Sequence, residues 1–238
     1  CDVYIYELAK RTGIERIGAM AHKLGMGRQT GLDLPGERRG LVPSPEWKLA
    51  EVGVPWQAGE TLLTGIGQGY VLATPLQLAV MTAQLANGGF RVVPHVTRDI
   101  VTRDGILPRP PREPRSLGIF PAHLQVVSRA LAAVVNSPRG TAYRSRIRQA
   151  GFEMGGKTGT VQVKRISKAE REHGVRKNRD LPWAQRDHAM FVGFAPIDAP
   201  RYAIAVVIEH GGGGAAVAAP IGHDILLAAQ RCNLQAPP

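Results

Sequence analysis

Long apolar runs are missing from this sequence: none of its 238 residues lies in a stretch approaching the roughly 18 apolar positions of a membrane-spanning helix. No basic-then-apolar leader opens it either. Cysteine is scarce. The two present, Cys1 and Cys232, stand near opposite ends, which leaves either one end-to-end bridge or two free thiols and no larger disulfide framework. Aromatic residues make up 5% of the chain, no zinc-finger spacing occurs and no basic helix recurs, and together these exclude nucleic acid as a partner. The seven histidines show no H-E-x-x-H or paired-ligand spacing, so a self-contained metal site is not expected. An initiator methionine is absent as well; the chain begins with Cys1 and reads as a piece of something longer.

What is present bounds the fold. A hydrophobic content of 44% is enough for a buried core, and 28 Gly with 18 Pro predict many turns. The length fits one large domain or two small ones. The charge balance, 30 − 19 = +11, is dispersed: residues 91–115 carry six Arg against three acids, and 161–188 carry eight Lys/Arg against four. Such a balance describes either a solvated basic surface or attraction to an anionic membrane face or polymer.

Apolar spacing predicts a helix from Asp2 to Gly13 and another from Ile14 to Leu24 that ends at Gly25. Residues 25–60 are turn-rich and read as an ordered surface excursion. Thr74-Pro75 is a capped helix start, and that helix halts at Asn87-Gly88-Gly89. "FRVVPHVTRDIVT" reads as strand pieces, "LPRPPREPR" as a proline-stiffened linker, and 121–136 as an amphipathic helix. Strands follow at 157–163, 189–194 and 202–208, then the glycine run 211–214 and a last helix from about Pro220 to Gln230. Helices precede strands, so the class is α+β, with a mainly helical lobe over 1–150 and the sheet with its closing helix over 151–238.

Two motifs suggest chemistry. "GIGQGYVLATPLQLA", 65–79, matches neither dinucleotide nor P-loop spacing and reads as a tight loop under a helix. "GGKTGTVQV" is stronger. Gly155-Gly156 permit close backbone approach, and the strand after them carries Lys157, Thr158, Gly159 and Thr160, a cation and two hydroxyls suited to a carboxylate beside a nucleophilic serine. None of the six serines (Ser44, Ser116, Ser128, Ser137, Ser145, Ser167) has a lysine three residues on, where a helix would bring the base to the hydroxyl. Ser145 has Arg148 there, and a guanidinium does not serve as a base.

The ordered blocks "CDVYIYELAKRTGIERI", "TGLDLPGERRGLVPSPEWK", "GETLLTGIGQGYVLATPLQLA", "GTAY", "GGKTGTVQV", "HAMFVGFAP" and "YAIAVVIEHGGGG" resemble the C-terminal part of class B penicillin-binding proteins, of the elongation type called penicillin-binding protein 2. The resemblance covers essentially the whole chain. It implies a partial penicillin-binding transpeptidase fold, like that of serine β-lactamases, with an antiparallel sheet flanked by helices. In that family a Ser-x-x-Lys motif, a Ser-x-Asn (or Asp) motif and Lys-Thr/Ser-Gly form the site. The second motif in this subgroup reads Ser-Cys-Asp, so Cys1-Asp2 would be its last two residues, with the serine, the nucleophile, the pedestal and the membrane anchor upstream.

The implied activity is peptidoglycan D,D-transpeptidation through an acyl-serine. Lys157 would keep the site electropositive, Thr158 and Thr160 would bind the substrate or drug carboxylate, the Thr160 N–H would supply half an oxyanion hole, and Asp2 would order the motif serine. No cofactor is required; Cys1 would be either a small buried thiol or, in the intact protein only, a ligand to a structural zinc whose other ligands lie upstream. Implied partners are stem peptides, β-lactams, a glycosyltransferase and elongation-complex proteins, at the periplasmic face of the bacterial inner membrane. The alternative is a non-catalytic transpeptidase-like remnant acting as a scaffold. "HAMF" departs from the family's more usual His-Ala-Trp-Phe at Met190.

Overall fold

The computed structural model describes residues 2–108, 110, 113–164, 168–174 and 176–234. It divides into two compact units, Cys1–Met81 with Phe90–Leu117, and Thr82–Gly89 with Gly118–Pro238.

The first unit is helical. Helix α1 (Asp2–Thr12) has its acid in the first turn and Lys10 and Arg11 in the last, which suits the helix dipole, and Glu7 accepts from Arg11 one turn on at 2.9 Å. Gly13, at φ 80, separates it from α2 (Ile14–Lys23). The excursion expected over 25–60 holds a further helix and the start of another. Helix α3 (Pro45–Val52) is capped by Ser44, whose Oγ accepts from the Trp47 N–H at 3.1 Å, and ends on left-handed Gly53. Helix α4 (Ala58–Gly65) starts where the Glu60 carboxylate accepts from the Gln57 N–H at 2.6 Å. A Cβ at Gly65 would stand 2.4 Å from that of Ala9, so α1 and α4 cross at a glycine–alanine contact.

Between α3 and α4 lies a buried ion pair. The Lys48 side chain is 3% exposed; its Nζ is 2.6 Å from a Glu60 carboxylate oxygen and donates to the Pro55 carbonyl at 2.8 Å. Burial alone would raise the Glu60 pKa, but the Lys48 ammonium and the Gln57 N–H hold it below its ordinary value.

Helix α5 (Pro75–Ala86) opens with a reciprocal cap: Gln77 N–H donates to Thr74 Oγ1 at 3.1 Å and Thr74 N–H to Gln77 Oε1 at 3.0 Å. The Gln77 amide also ties down the preceding loop, donating to the Arg28 and Arg39 carbonyls at 2.7 and 2.6 Å. Of "FRVVPHVTRDIVT", only the end is strand: β1 (Asp99–Thr102) pairs antiparallel with β2 (Gly105–Pro108), and Phe90 makes a single bridge to Ser116. Val96 and Thr97 are not strand because the Asp33 carboxylate takes their N–H groups. Of "LPRPPREPR", Leu107 and Pro108 lie in β2, while Arg109, Pro111 and Arg112 lie outside the described residues.

The second unit holds the sheet. Helix α6 (Pro121–Asn136) ends where Asn136 Nδ2 donates both to the Ala132 carbonyl and, at 3.0 Å, to that of Met154, fixing the entry to β3 (Gly155–Val161). The short α7 (Lys168–His173) is followed by β4 (His188–Ala195), β5 (Tyr202–Ile208) and α8 (Ala218–Leu234). The order is β3-β4-β5, all antiparallel, as the three strand signals led us to expect. Strand β3 starts earlier than expected because Gly155 and Gly156 pair with Phe194 and Gly193; it stops at Val161 because Val163 N–H turns to the Asp187 carboxylate.

Alternation along β4 sends Ala189, Phe191 and Gly193 to the face covered by α8, with Thr158 and Thr160 opposite Phe191 and Ala189 on that same face. Phe191 is fully buried, and Gly156, Gly193 and Gly222 clear the space for its ring: a Cβ on any of them would stand within 2.6 Å of it. Phe194 fills the other face over Gly155. Burying a side chain of this size stabilises by about 1.5–3 kcal/mol, so these glycines are packing positions rather than breaks in the strand.

Candidate active site

Strand β3 is an edge strand: among the described residues it pairs with β4 alone. Its outer side therefore keeps backbone groups available to an added extended peptide. Lys157 projects from the face opposite α8, is exposed, and donates from Nζ to the Thr158 carbonyl at 2.7 Å. Thr158 and Thr160 project from the α8 face and are supported differently.

The Thr158 hydroxyl lies 2.9 Å from that of Thr141. Thr141 sits in the tight turn after α6, where Gly140 N–H donates to the Ser137 carbonyl and Ala142 N–H to that of Val134. A Cβ on Gly140 would fall 2.2 Å from the Val134 carbonyl oxygen, so this turn admits only glycine there. Thr160 is exposed, and its Oγ1 receives the Gly214 N–H at 3.4 Å, a long contact. Gly214 comes from the loop between β5 and α8. A Cβ on it would stand 2.3 Å from both the Gly159 and Met190 carbonyl oxygens, so the loop lies backbone-on-backbone against the Lys-Thr-Gly strand. Gly159 faces Met190, whose Cβ is 3.3 Å from where a Gly159 Cβ would be.

The four sequence-predicted residues of β3 thus share one sheet edge, with the Lys157 cation on one face and the two hydroxyls, Thr158 half-buried and Thr160 exposed, on the other. Hydrogen bonds of ionised partners are the strong ones, and this array suits a ligand carboxylate. Asp2 is placed in the first turn of α1, in the other compact unit, and Cys1 lies outside the described residues. Among the described residues no group of three or more His, Cys, Asp or Glu could hold a metal ion.

Thr141, His188 and Gly214 carry no signal of their own in the sequence, although they stand in "GTAY", "HAMFVGFAP" and the glycine run. Nothing local marks them, because each meets the strand through space.

An antiparallel sheet with Lys-Thr-Gly-Thr on its edge strand, packed between helices, is the α+β fold of the penicillin-binding transpeptidases. The chain belongs to that family: the penicillin binding protein transpeptidase domain matches residues 1–227. It is 40% identical over 228 residues to the peptidoglycan D,D-transpeptidase MrdA of Acinetobacter baumannii, covering 93% of this chain and 32% of that protein. The chain thus spans about a third of the length of the curated relatives it matches. Among solved structures it is similar to penicillin-binding protein PBP2 of Helicobacter pylori, solved in complex with MreC (TM-score 0.80, 30% identity, 97% of this chain and 38% of that one). It is also similar to Pseudomonas aeruginosa PBP2 in complex with WCK 5153 (TM-score 0.75, 38% identity, 94% and 44%).

Proposed function

We propose that this chain supplies the carboxylate-binding edge of a serine D,D-transpeptidase that cross-links peptidoglycan stem peptides during cell-wall elongation. The observation that carries the reading is the Lys157–Thr160 edge of β3, unpaired on its outer side among the described residues. A serine hydroxyl attacks the carbonyl of a D-Ala-D-Ala terminus, its proton passes to a base, and D-Ala leaves; the acyl group then passes to an amine of a neighbouring stem, freeing the serine. Covalent catalysis splits one difficult transfer into two. The 238 residues contain no Ser-x-x-Lys, so the nucleophile in this reading comes from outside them.

Lys157 raises the potential around the substrate carboxylate, and the Thr158 and Thr160 hydroxyls donate to it. The Thr160 N–H faces the developing oxyanion; one such donor is worth about 3 kcal/mol. Penicillins are read as substrates that stop at the acyl stage, in keeping with the family's name. The same reading gives Asp2 the ordering of a motif serine, and gives the protein a glycosyltransferase and elongation-complex partners; the Helicobacter relative is solved in complex with MreC. It also carries a periplasmic location at the inner membrane; no helix of the described residues is long and apolar enough to cross a membrane.

The test is acylation of the full-length gene product by a fluorescent penicillin. Lys157→Ala should slow acylation about a hundredfold or more with the thermal melt nearly unchanged, because an exposed strand-edge lysine adds little to the core. Equal rates for wild type and variant would discard the catalytic reading and leave the scaffold one.

A further inference from the structure

The loop that lies against the Lys-Thr-Gly strand is held there by the first residue of β4. His210, just past β5, takes φ 53 and donates its backbone N–H to His188 Nδ1 at 2.9 Å. Its own Nδ1 stands 2.9 Å from the Arg186 carbonyl oxygen. A carbonyl only accepts, so His210 Nδ1 carries a proton; a backbone N–H only donates, so His188 Nδ1 is bare and its proton sits on Nε2. Two residues on, Gly212 N–H donates to the Asp187 carbonyl at 2.8 Å. Asp187 is itself fixed by Asn178, which donates to its carboxylate and accepts its N–H. Trp183 covers His210 at 4.3 Å between ring centroids. The loop then reaches Gly214, whose N–H meets Thr160 Oγ1.

We propose that His188 is a positioning residue for acyl transfer: its unprotonated Nδ1 clasps the 210–214 turn so that the Gly214 N–H occupies a lone pair of the Thr160 hydroxyl, leaving that O–H to donate to the substrate carboxylate. The inference rests on the transpeptidase reading above. A protonated His188 would set N–H against N–H and add a cation 4.7 Å from the second imidazole, so the clasp opens in acid. The charged or titratable groups around His188 among the described residues are Arg186 and Asp187 on its own segment, and Glu209 and His210 on the turn after β5. Strand β3 presents the uncharged Val161 opposite it.

The experiment measures acylation of the full-length gene product by a fluorescent penicillin between pH 5 and 8. In His188→Asn the amide oxygen can accept the same N–H but does not titrate. This variant should stay within about threefold of wild type at neutral pH and lack the acid-side fall expected of wild type. His188→Gln carries its acceptor too far out and should lose about tenfold or more. Because His188 acts through Thr160, the double variant Thr160→Val/His188→Gln should be no slower than Thr160→Val alone. Equal losses in the Asn and Gln variants, an unchanged acid limb in His188→Asn, or additive losses in the double variant would each overturn the proposal. If a melt shows His188→Gln misfolded, the pH profile of His188→Asn decides. Lys157→Ala is the control: slow acylation there with unaffected His188 variants defeats only this inference, whereas unaffected Lys157→Ala defeats the reading beneath it.

Discussion

Gly214 is a residue where space leaves almost no choice. Its Cα approaches the strand so closely that an added methyl would stand 2.3 Å from two backbone carbonyl oxygens, and backbone cannot swing aside as a side-chain end can. Gly214→Ala must therefore lift the loop off Gly159 and Met190, withdrawing the N–H from Thr160. Gly214 is itself buried, so the expected outcome is a lowered melt together with acylation of the full-length gene product slowed about tenfold or more. The sharper measurement is a comparison with Gly213→Ala, where a Cβ meets nothing within 4 Å. Gly213→Ala should acylate like wild type, and equal effects at the two positions would mean that the close approach has no bearing on the site. Thr141 belongs to the same scale: its hydroxyl is the one partner of Thr158 Oγ1 that the structure identifies, and it arrives from 17 residues away through a turn that requires Gly140.

Among the elements, α3 and α4 are joined by one buried charge pair, and its behaviour with pH follows from the sign of the Glu60 shift. Burial opposes ionisation, yet hydrogen bonds from Lys48 and Gln57 leave the folded pKa below the unfolded one, about 4.3. The pair's contribution is therefore fully present above that unfolded value and is lost as pH falls through the lower folded one. Lys48→Met leaves Glu60, 18% exposed, without its cation and should cost about 3 kcal/mol. Lys48→Met with Glu60→Gln should recover part of that loss, and its stability should vary less with pH below 5 than that of wild type. Chemical denaturation at pH 7 and pH 4 reads both; a Lys48→Met variant as stable as wild type would show the pair to be idle.

These helices also mark where sequence legibility ended. The strong periodic helices and all three sheet strands were legible because their patterns are local. Helices α3 and α4 were hidden in a stretch rich in Gly and Pro, although Ser44-Pro45 and the Gln57/Glu60 pair are local caps of the same kind as Thr74-Pro75. The Lys157–Thr160 edge was legible as a motif. Its supports, Thr141 and Gly214, were not, because hydrogen bonds spanning 17 and 54 positions leave no periodic trace.

At the scale of the whole molecule, the 238 residues carry the Lys157–Thr160 edge proposed to bind a carboxylate but no Ser-x-x-Lys to supply a nucleophile. Three positions after the six serines stand Trp47, Ile119, Leu131, Gly140, Arg148 and Glu170. Only Arg148 is cationic, and its guanidinium stays protonated at any pH a protein tolerates. Ser145, its partner in spacing, is buried at 7% exposure within a short 3-10 turn, so a β-lactam carbonyl has no approach to it. Unactivated hydroxyls attack β-lactams slowly, and a binding edge without a base does not change the nucleophile. The chain of 238 residues expressed by itself should therefore show no stoichiometric mass increase after incubation with benzylpenicillin. It should also self-associate. Both outer strands of the sheet, β3 and β5, lack a second neighbour among the described residues, and Val3, Tyr4, Val101 and Val126 are each at least 66% exposed. Light scattering of the same sample separates the two halves of this expectation. A monodisperse monomer would count against the exposed-edge argument alone. A stoichiometric adduct abolished by replacing one of the six serines would show that the nucleophile lies within these residues after all, and the division of the site argued above would fall with it.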